Sequence, residues 1–241
     1  MGTYKRTNER GKVMTDMALI VPSRGRPQNI VRLYEALYKT ESDVELVVGV
    51  DRDDPEIDGY YDIVSNRNIS MVVSPERRRF GPTLDSIAKR YADDYEYLAW
   101  MGDDHLPITI GWDKKYREEL AQMDAGIVYG NDLVQGINIP TQMGFTSNIV
   151  KALGYAVPEG FIHLYIDNYF LELGKAIGGV CYLPDIIVQH LHPSAGGAQE
   201  DQTYREANSP ENWSNDQRRF NEYMIEELTI DAEKIRKYVS R

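Results

Sequence analysis

The sequence predicts an α/β protein built on a mostly parallel, doubly wound sheet flanked by helices, with a C-terminal helical tail. Two patterns carry that prediction. Short apolar runs of buried-strand type recur through the first half, each followed by a polar loop and, in several cases, apolar residues at helical spacing. Several of the runs end in charged residues, as expected where an open sheet presents its chemistry at the carboxyl ends of its strands. The composition agrees, since 241 residues that are 42% hydrophobic and 27% charged describe a globular chain long enough for a full core.

Residues 1 to about 16 are polar and read as a flexible arm. Met17 to Val21 is the first strand. It breaks at Pro22 into S-R-G-R-P, where Gly25 gives backbone freedom and Pro27 suits the first turn of a helix marked by Ile30, Leu33, Tyr34 and Leu37. Ser23, Arg24 and Arg26 then stand at the carboxyl edge of the sheet, where arginines suit phosphate oxygens or a base edge. Solvated arginines ahead of a helix are the alternative. Val44 to Val50 is the second strand and ends in acid at Asp51, Asp53 and Asp54. Ile69 to Val73 is the third. Arg77, Arg78 and Arg79 follow, then a helix from about Pro82 or Thr83 to Tyr91 with an apolar stripe of Leu84, Ile87, Ala88 and Tyr91. Guanidinium groups just ahead of a helix N-terminus make an anion site.

The fourth strand lies in the most informative stretch, Tyr95 to Pro107, which reads Y-E-Y-L-A-W-M-G-D-D-H-L-P. Its apolar run stops abruptly at Gly102, Asp103, Asp104 and His105. Adjacent carboxylates repel each other and desolvate badly unless a cation or hydrogen-bond donors compensate them. A divalent metal with phosphate oxygens in its shell does so, and a solvated acidic turn is the plainer reading. Asp113 to about Gln122 reads as a largely exposed helix, and Gly126 to Tyr129 as a strand. Val134 to Asn148 reads as an amide-rich loop crossing the site, with Gln142, Thr146 and Asn148 available to hydroxyl groups, and an ordinary surface loop is the equal alternative for each; Ile149 to Leu153 then begins a short helix. Asp167, Phe170, Leu171 and Gly174 share a helical face, which puts Asp167 in a first turn, either as an N-cap or as a group aimed at a site. Val180 to Leu191 is strand-like and places His190 and His192 on one face, a spacing that suits a metal, Mn²⁺ better than Mg²⁺, while one buried, hydrogen-bonded histidine and one exposed is the alternative. Asp216 to about Glu227 is an amphipathic helix for packing or a homo-oligomer contact.

A net charge of -11 argues against a broad basic surface for nucleic acid and leaves only Arg77 to Arg79 as a local patch. No apolar run approaches a membrane span, so stable membrane insertion is not expected. The first residues lack the apolar core of a signal peptide, and Arg6 breaks the myristoylation pattern. Cys181 is the single cysteine and reads as a buried core thiol, so the expected location is cytoplasmic.

I-V-P-S-R-G-R-P at residues 20–27, V-V-G-V-D at 47–51 and W-M-G-D-D-H at 100–105 together resemble a GT-A-fold glycosyltransferase, family-2-like, of the large group of nucleotide-sugar enzymes that carry a metal-binding Asp-x-Asp. The resemblance covers roughly Ala18 to His192. It implies a GT-A catalytic domain over 17–193, with a nucleotide-binding half about 17–132 and an acceptor half about 133–193, then a lid loop and C-terminal helix over 194–241. Pro22, Ser23, Arg24 and Arg26 would surround base and ribose, Asp51 would contact the base, and Arg78 or Arg79 would aid the leaving diphosphate. Asp104 would hold a divalent metal, Mn²⁺ or Mg²⁺, and Asp103 would face the ribose or a metal-bound water. Gly102 is a departure, standing where the first Asp of the pattern is expected. A late histidine, His190 or His192, would complete the metal shell, and the Pro193 turn favours His192. Asp167 would deprotonate the acceptor, which points to inversion, although Ile166 stands where a second acid is usual. Tyr204 and Arg205 would close over the donor phosphates.

The implied activity is metal-dependent transfer of a sugar from a nucleotide diphosphate donor, a UDP-sugar first, to a hydroxyl of a glycan, a protein, a small molecule or a modified nucleobase. Two alternatives stay open. A nucleotidyltransferase of the nucleotide-sugar type would want a glycine-rich first loop with a lysine. A catalytically inactive nucleotide-sugar-binding module would suit Gly102.

Overall fold

A computed structural model of the chain describes residues 15–193, 196 and 200–241. Most of the expected N-terminal arm, and residues 194, 195 and 197–199 of the expected lid, lie outside the described residues. The centre is an 8-stranded sheet in the order β3-β2-β1-β4-β7-β6-β8-β5. Its first half is parallel: β1 (Met17–Pro22) lies between β2 (Glu45–Asp51) and β4 (Tyr97–Trp100), with β3 (Ser70–Ser74) outside β2. β1 is buried at every position because both faces of the sheet are covered.

Alternation along the strands divides the core in two. Met17, Leu19 and Val21 face Ile30, Leu33 and Leu37 of α1 (Pro27–Lys39), with α2 (Ile57–Ser65) and α4 (Trp112–Leu120) on the same side. Ala18 and Ile20 face Leu84, Ile87 and Ala88 of α3 (Phe80–Tyr91). Phe170 of α6 (Ile166–Ile177), Tyr223 of α8 (Pro210–Glu226) and Ile235 of α9 (Leu228–Val239) join that second core. The chain leaves β1 for β2 on one side and returns to β4 on the other. This switch of direction opens a crevice outside the carboxyl ends of β1 and β4.

Past β4 the sheet is mixed. β7 (Met143–Thr146) runs antiparallel to both β4 and β6 (Ile127–Asn131), while β8 (Val180–His190) is parallel to β6. β5 (His105–Pro107) closes the far edge as a three-residue strand on β8. The expected loop over 134–148 therefore contains a strand. Met-Gly-Phe-Thr is too short and too small to signal one by its own pattern, and only pairing with β4 stabilises it. The short helix that follows, α5, spans Ser147–Leu153. The C-terminal tail holds two long helices rather than one. α8 starts at Pro210, where Ser209 caps the amide of Asn212, six residues earlier than its apolar spacing suggested. Cys181 is half-buried, its Sγ 4.0 Å from Glu119. No helix of the described residues is long and apolar enough to cross a membrane.

Gly49 shows how tightly α3 is seated on the sheet. A Cβ there would lie 2.5 Å from Thr83 Cγ2 and 2.7 Å from Ile87 Cδ1, and Thr83 is β-branched and cannot swing away. Gly49→Ala is expected to cost about 1–3 kcal/mol in urea unfolding, and an unchanged midpoint would show that α3 can move outward freely.

Candidate active site

The crevice is a cleft of about 650 Å³ lined from β1 and β2, the end of β4, the start of α3 and of α6, and the short helix α7 (Gln202–Ala207). At its centre the two acids after β4 part company. Asp103 turns toward the loop after β1, where its Oδ2 accepts the Ser23 hydroxyl at 2.6 Å and its Oδ1 accepts Arg26 Nη1 at 3.2 Å and Asn29 Nδ2 at 3.4 Å. Arg26 donates its backbone N–H to the Tyr60 hydroxyl, and Tyr60 in turn lies 2.7 Å from Ser23 Oγ. Burial and the charge of Asp104 push Asp103 up from the ordinary carboxylate value.

Asp104 turns the other way, toward histidines. His105 Nδ1 lies 3.2 Å from Asp104 Oδ1, and His190 Nε2 lies 3.6 Å from Oδ2. Register explains why: β5 and β8 pair His105 directly with His190, and their rings stack at 4.0 Å. Burial alone would raise Asp104, but the two imidazoles hold it well below the usual range. Donor atoms of Asp104, His105 and His190 lie within 4.8 Å of one another, a two-imidazole, one-carboxylate set that fits a divalent ion and suits Mn²⁺ better than Mg²⁺. Gly102 belongs to this geometry, since a Cβ there would lie 2.6 Å from Asp104 Oδ1 and 3.0 Å from His105 Nδ1.

The sequence expectation that favoured His192 over His190 is corrected. His190 joins the group, while His192 lines the cleft one ring further out, 4.9 Å from His190 and 5.4 Å from Tyr204 between centroids. His105 stands in the motif beside Asp104, but its place in the sequence gives no sign that it meets a second histidine. Asp132, after β6, is a further acid at a strand end. Its Oδ1 accepts the amides of Val134, Gln135 and Gly136 and its Oδ2 the Thr141 hydroxyl, which leaves it 3.8 Å from the buried Nδ1 of His190. Burial lowers His190, but Asp104 and Asp132 on either side raise it to about 9. A carboxylate on the far side of a histidine favours the ring orientation in which its other nitrogen faces the site.

The donor-side expectations divide. Pro22, Ser23, Arg24, Asp51 and Arg79 line the cleft. Arg26 lines it too, but its guanidinium is held by Asp103 and by a two-pronged pair with Asp201 at 2.6 Å, so it is a brace rather than a free base contact. Arg24 pairs with Asp53 and approaches Asp51 at 3.7 Å. Asp51 Oδ1 accepts the backbone N–H of Arg78, and burial raises Asp51. Arg78 is corrected: its guanidinium bonds Ser86 Oγ at 2.7 Å and is not among the cleft-lining groups. Arg77 pairs with Glu206 of α7. Arg79 has no carboxylate partner among the described residues and holds φ 65°, ψ −178°, a backbone shape open essentially to glycine.

Asp167 lines the cleft from the first turn of α6, and burial pushes it up from the usual carboxylate value. The three acceptor candidates are corrected. Because β7 runs antiparallel to β4, Thr146 sits beside Tyr97 at the opposite edge of the sheet, where its Oγ1 accepts the amide of Gly126. Asn148 follows it there and donates to Asp124 O. Gln142 is buried against α4, its Oε1 accepting the Tyr116 hydroxyl.

No family model matches the chain, and no curated protein matches it in sequence. Solved structures do match. The mannosyltransferase PcManGT from Pyrobaculum calidifontis, solved with GDP-Man and Mn²⁺, is similar at TM-score 0.57 with 12% identity, over 94% of this chain and 74% of that one. S. aureus TarS 1-349 in complex with UDP is similar at TM-score 0.56 with 14% identity, over 72% of this chain and 59% of that one. Full TarS gives TM-score 0.58 with 13% identity and 94% of this chain covered, but the match spans only 43% of TarS. At such identities the likeness is one of fold, and the fold is that of GT-A-like nucleotide-sugar enzymes.

Two outcomes follow from the geometry. In calorimetric titration with Mn²⁺, Asp104→Ala, His105→Ala and His190→Ala should each weaken binding at least about tenfold, and His192→Ala much less. Arg79→Gly should relieve backbone strain and raise stability in urea by about 1 kcal/mol, while weakening the binding of a nucleoside diphosphate measured in parallel.

Proposed function

We propose that the protein is a metal-dependent glycosyltransferase that moves a sugar from a nucleoside diphosphate sugar to an acceptor hydroxyl with inversion at the anomeric carbon. One observation carries the reading. A single cleft, at the edge where GT-A-like folds bind ligands, is lined by Asp104, His105 and His190 and by a pKa-raised carboxylate, Asp167, on a helix start.

Asp104, His105 and His190 would hold the divalent ion, which when bound neutralises charge building on the leaving diphosphate. Asp51 accepts a hydrogen bond from the base. A carboxylate there suits the imide N–H of uracil and equally the N1–H of guanine, so both uridine and guanosine donors belong in the test. Arg79, the cleft arginine that no carboxylate claims among the described residues, faces the phosphates. Asp167 takes the acceptor proton. Its raised pKa makes it a stronger base near neutral pH, and the Asn168 amide on Oδ1 orients the carboxylate. Gly102 by itself does not favour the inactive-module alternative, because a Cβ there would crowd the side chains of Asp104 and His105.

The test is release of free nucleotide from a panel of UDP- and GDP-sugars, with and without Mn²⁺. Slow Mn²⁺-dependent release from one donor, abolished in Asp104→Ala, is expected. Asp167→Asn should slow that release by about 10²–10⁴-fold with donor affinity unchanged. If no member of the panel is cleaved and none raises the melting temperature, the glycosyl-transfer reading is wrong.

A further inference from the structure

The loop over 161–165, just ahead of Asp167, is held in an unusual way. Asp216 of α8 is 0% exposed and accepts three successive backbone amides, from Ile162 at 3.0 Å, His163 at 2.9 Å and Leu164 at 2.7 Å. Tyr165 follows at φ 63°, a left-handed shape costly for a tyrosine. Three charge-assisted bonds to one buried acid and a strained residue fix the backbone of His163 more firmly than a connecting loop requires.

The side chain of His163 is then delivered to the cleft. It lines the cavity, and its ring stands edge-on to Phe80 at 5.3 Å. Beyond burial, Asp216 and Asp104 act to raise its pKa and Arg26 and Arg79 to lower it, so the ring lies within electrostatic reach of the candidate metal group and of the cleft arginines. Its ring nitrogens make no hydrogen bond among the described residues. Burial lowers its pKa to about 4, so at neutral pH it offers one N–H donor and one acceptor. Vicinal hydroxyl groups ask for that pair, because each hydroxyl both donates and accepts. Nothing in nucleotide binding or proton transfer, as read above, uses this ring.

We propose that His163 recognises the hydroxyl groups of the transferred glycosyl unit, held in place by the clamp of Asp216 on its backbone and by Phe80. This rests on the glycosyl-transfer reading.

The experiment compares two ligands in each protein by calorimetry with Mn²⁺: a nucleoside diphosphate and its sugar conjugate, from whichever of the UDP and GDP series the wild type binds. His163→Phe keeps the contact with Phe80 and removes the hydrogen bonds. It should weaken the sugar conjugate about tenfold relative to the nucleoside diphosphate, whose affinity stays within about twofold. His163→Gln, which keeps a donor and an acceptor, should recover most of the loss, and Asp216→Asn should reproduce part of it. Equal affinities for His163→Phe and wild type, or an equal loss for both ligands, overturns the assignment while leaving glycosyl transfer intact. A wild type that binds neither series removes both.

Discussion

The rest of the site depends on one constraint, that two adjacent carboxylates at the end of a buried strand must each find separate compensation. Asp103 and Asp104 are neighbours in a low-dielectric cleft, and leaving both charges to face each other would be costly. The chain sends them to opposite partners. Asp103 is absorbed into the loop after β1 through Ser23, Arg26 and Asn29, and so ties β4 to β1. Asp104 is left with two imidazoles and room for a cation. Gly102 fits the same constraint, since a Cβ there would crowd the Asp104 carboxylate and the His105 ring.

The acidic balance of the chain acquires a structural meaning from its loops. Asp132 gathers three amides behind the histidine group, and Asp216 gathers three ahead of Asp167. Asp85 does the same on a smaller scale for Ala156 and Val157. Each of these carboxylates fixes a segment of backbone that neither helix nor sheet could satisfy. A net charge of -11 therefore does not describe only a solvated surface, because part of it is spent inside the protein on shaping loops around the cleft.

α7 completes the enclosure. Asp201 caps it through the amide of Tyr204 and holds Arg26, Glu206 holds Arg77, and Tyr204 packs against His192. A six-residue helix thus touches the loop after β1, the arginine run and the line of histidines at once. Among the cleft-lining arginines this leaves Arg79 without an ion pair to a carboxylate of the described residues, and its strained backbone marks the same place.

By itself the sequence determined the parallel half of the sheet, the helices after β1 and β3, and the carboxyl edge where Ser23, Asp51, Asp103 and Asp104 collect. Those features rest on periodicity and on where apolar runs stop, and both are local. It also marked Asp167 as a helix-start acid, for the same reason. Tertiary structure decided the rest. Which histidine meets Asp104 is set by the register of β5 on β8, between residues 85 apart in sequence, as 190 less 105. Gln142, Thr146 and Asn148 turned away from the cleft because β7 pairs antiparallel with β4, a choice that four residues cannot announce. Asp132 and Asp216 look like any other acids in a sequence, because a carboxylate that holds backbone amides is defined by where the chain returns to it in space. Spacing can say which residues share a face, but it does not say what stands opposite.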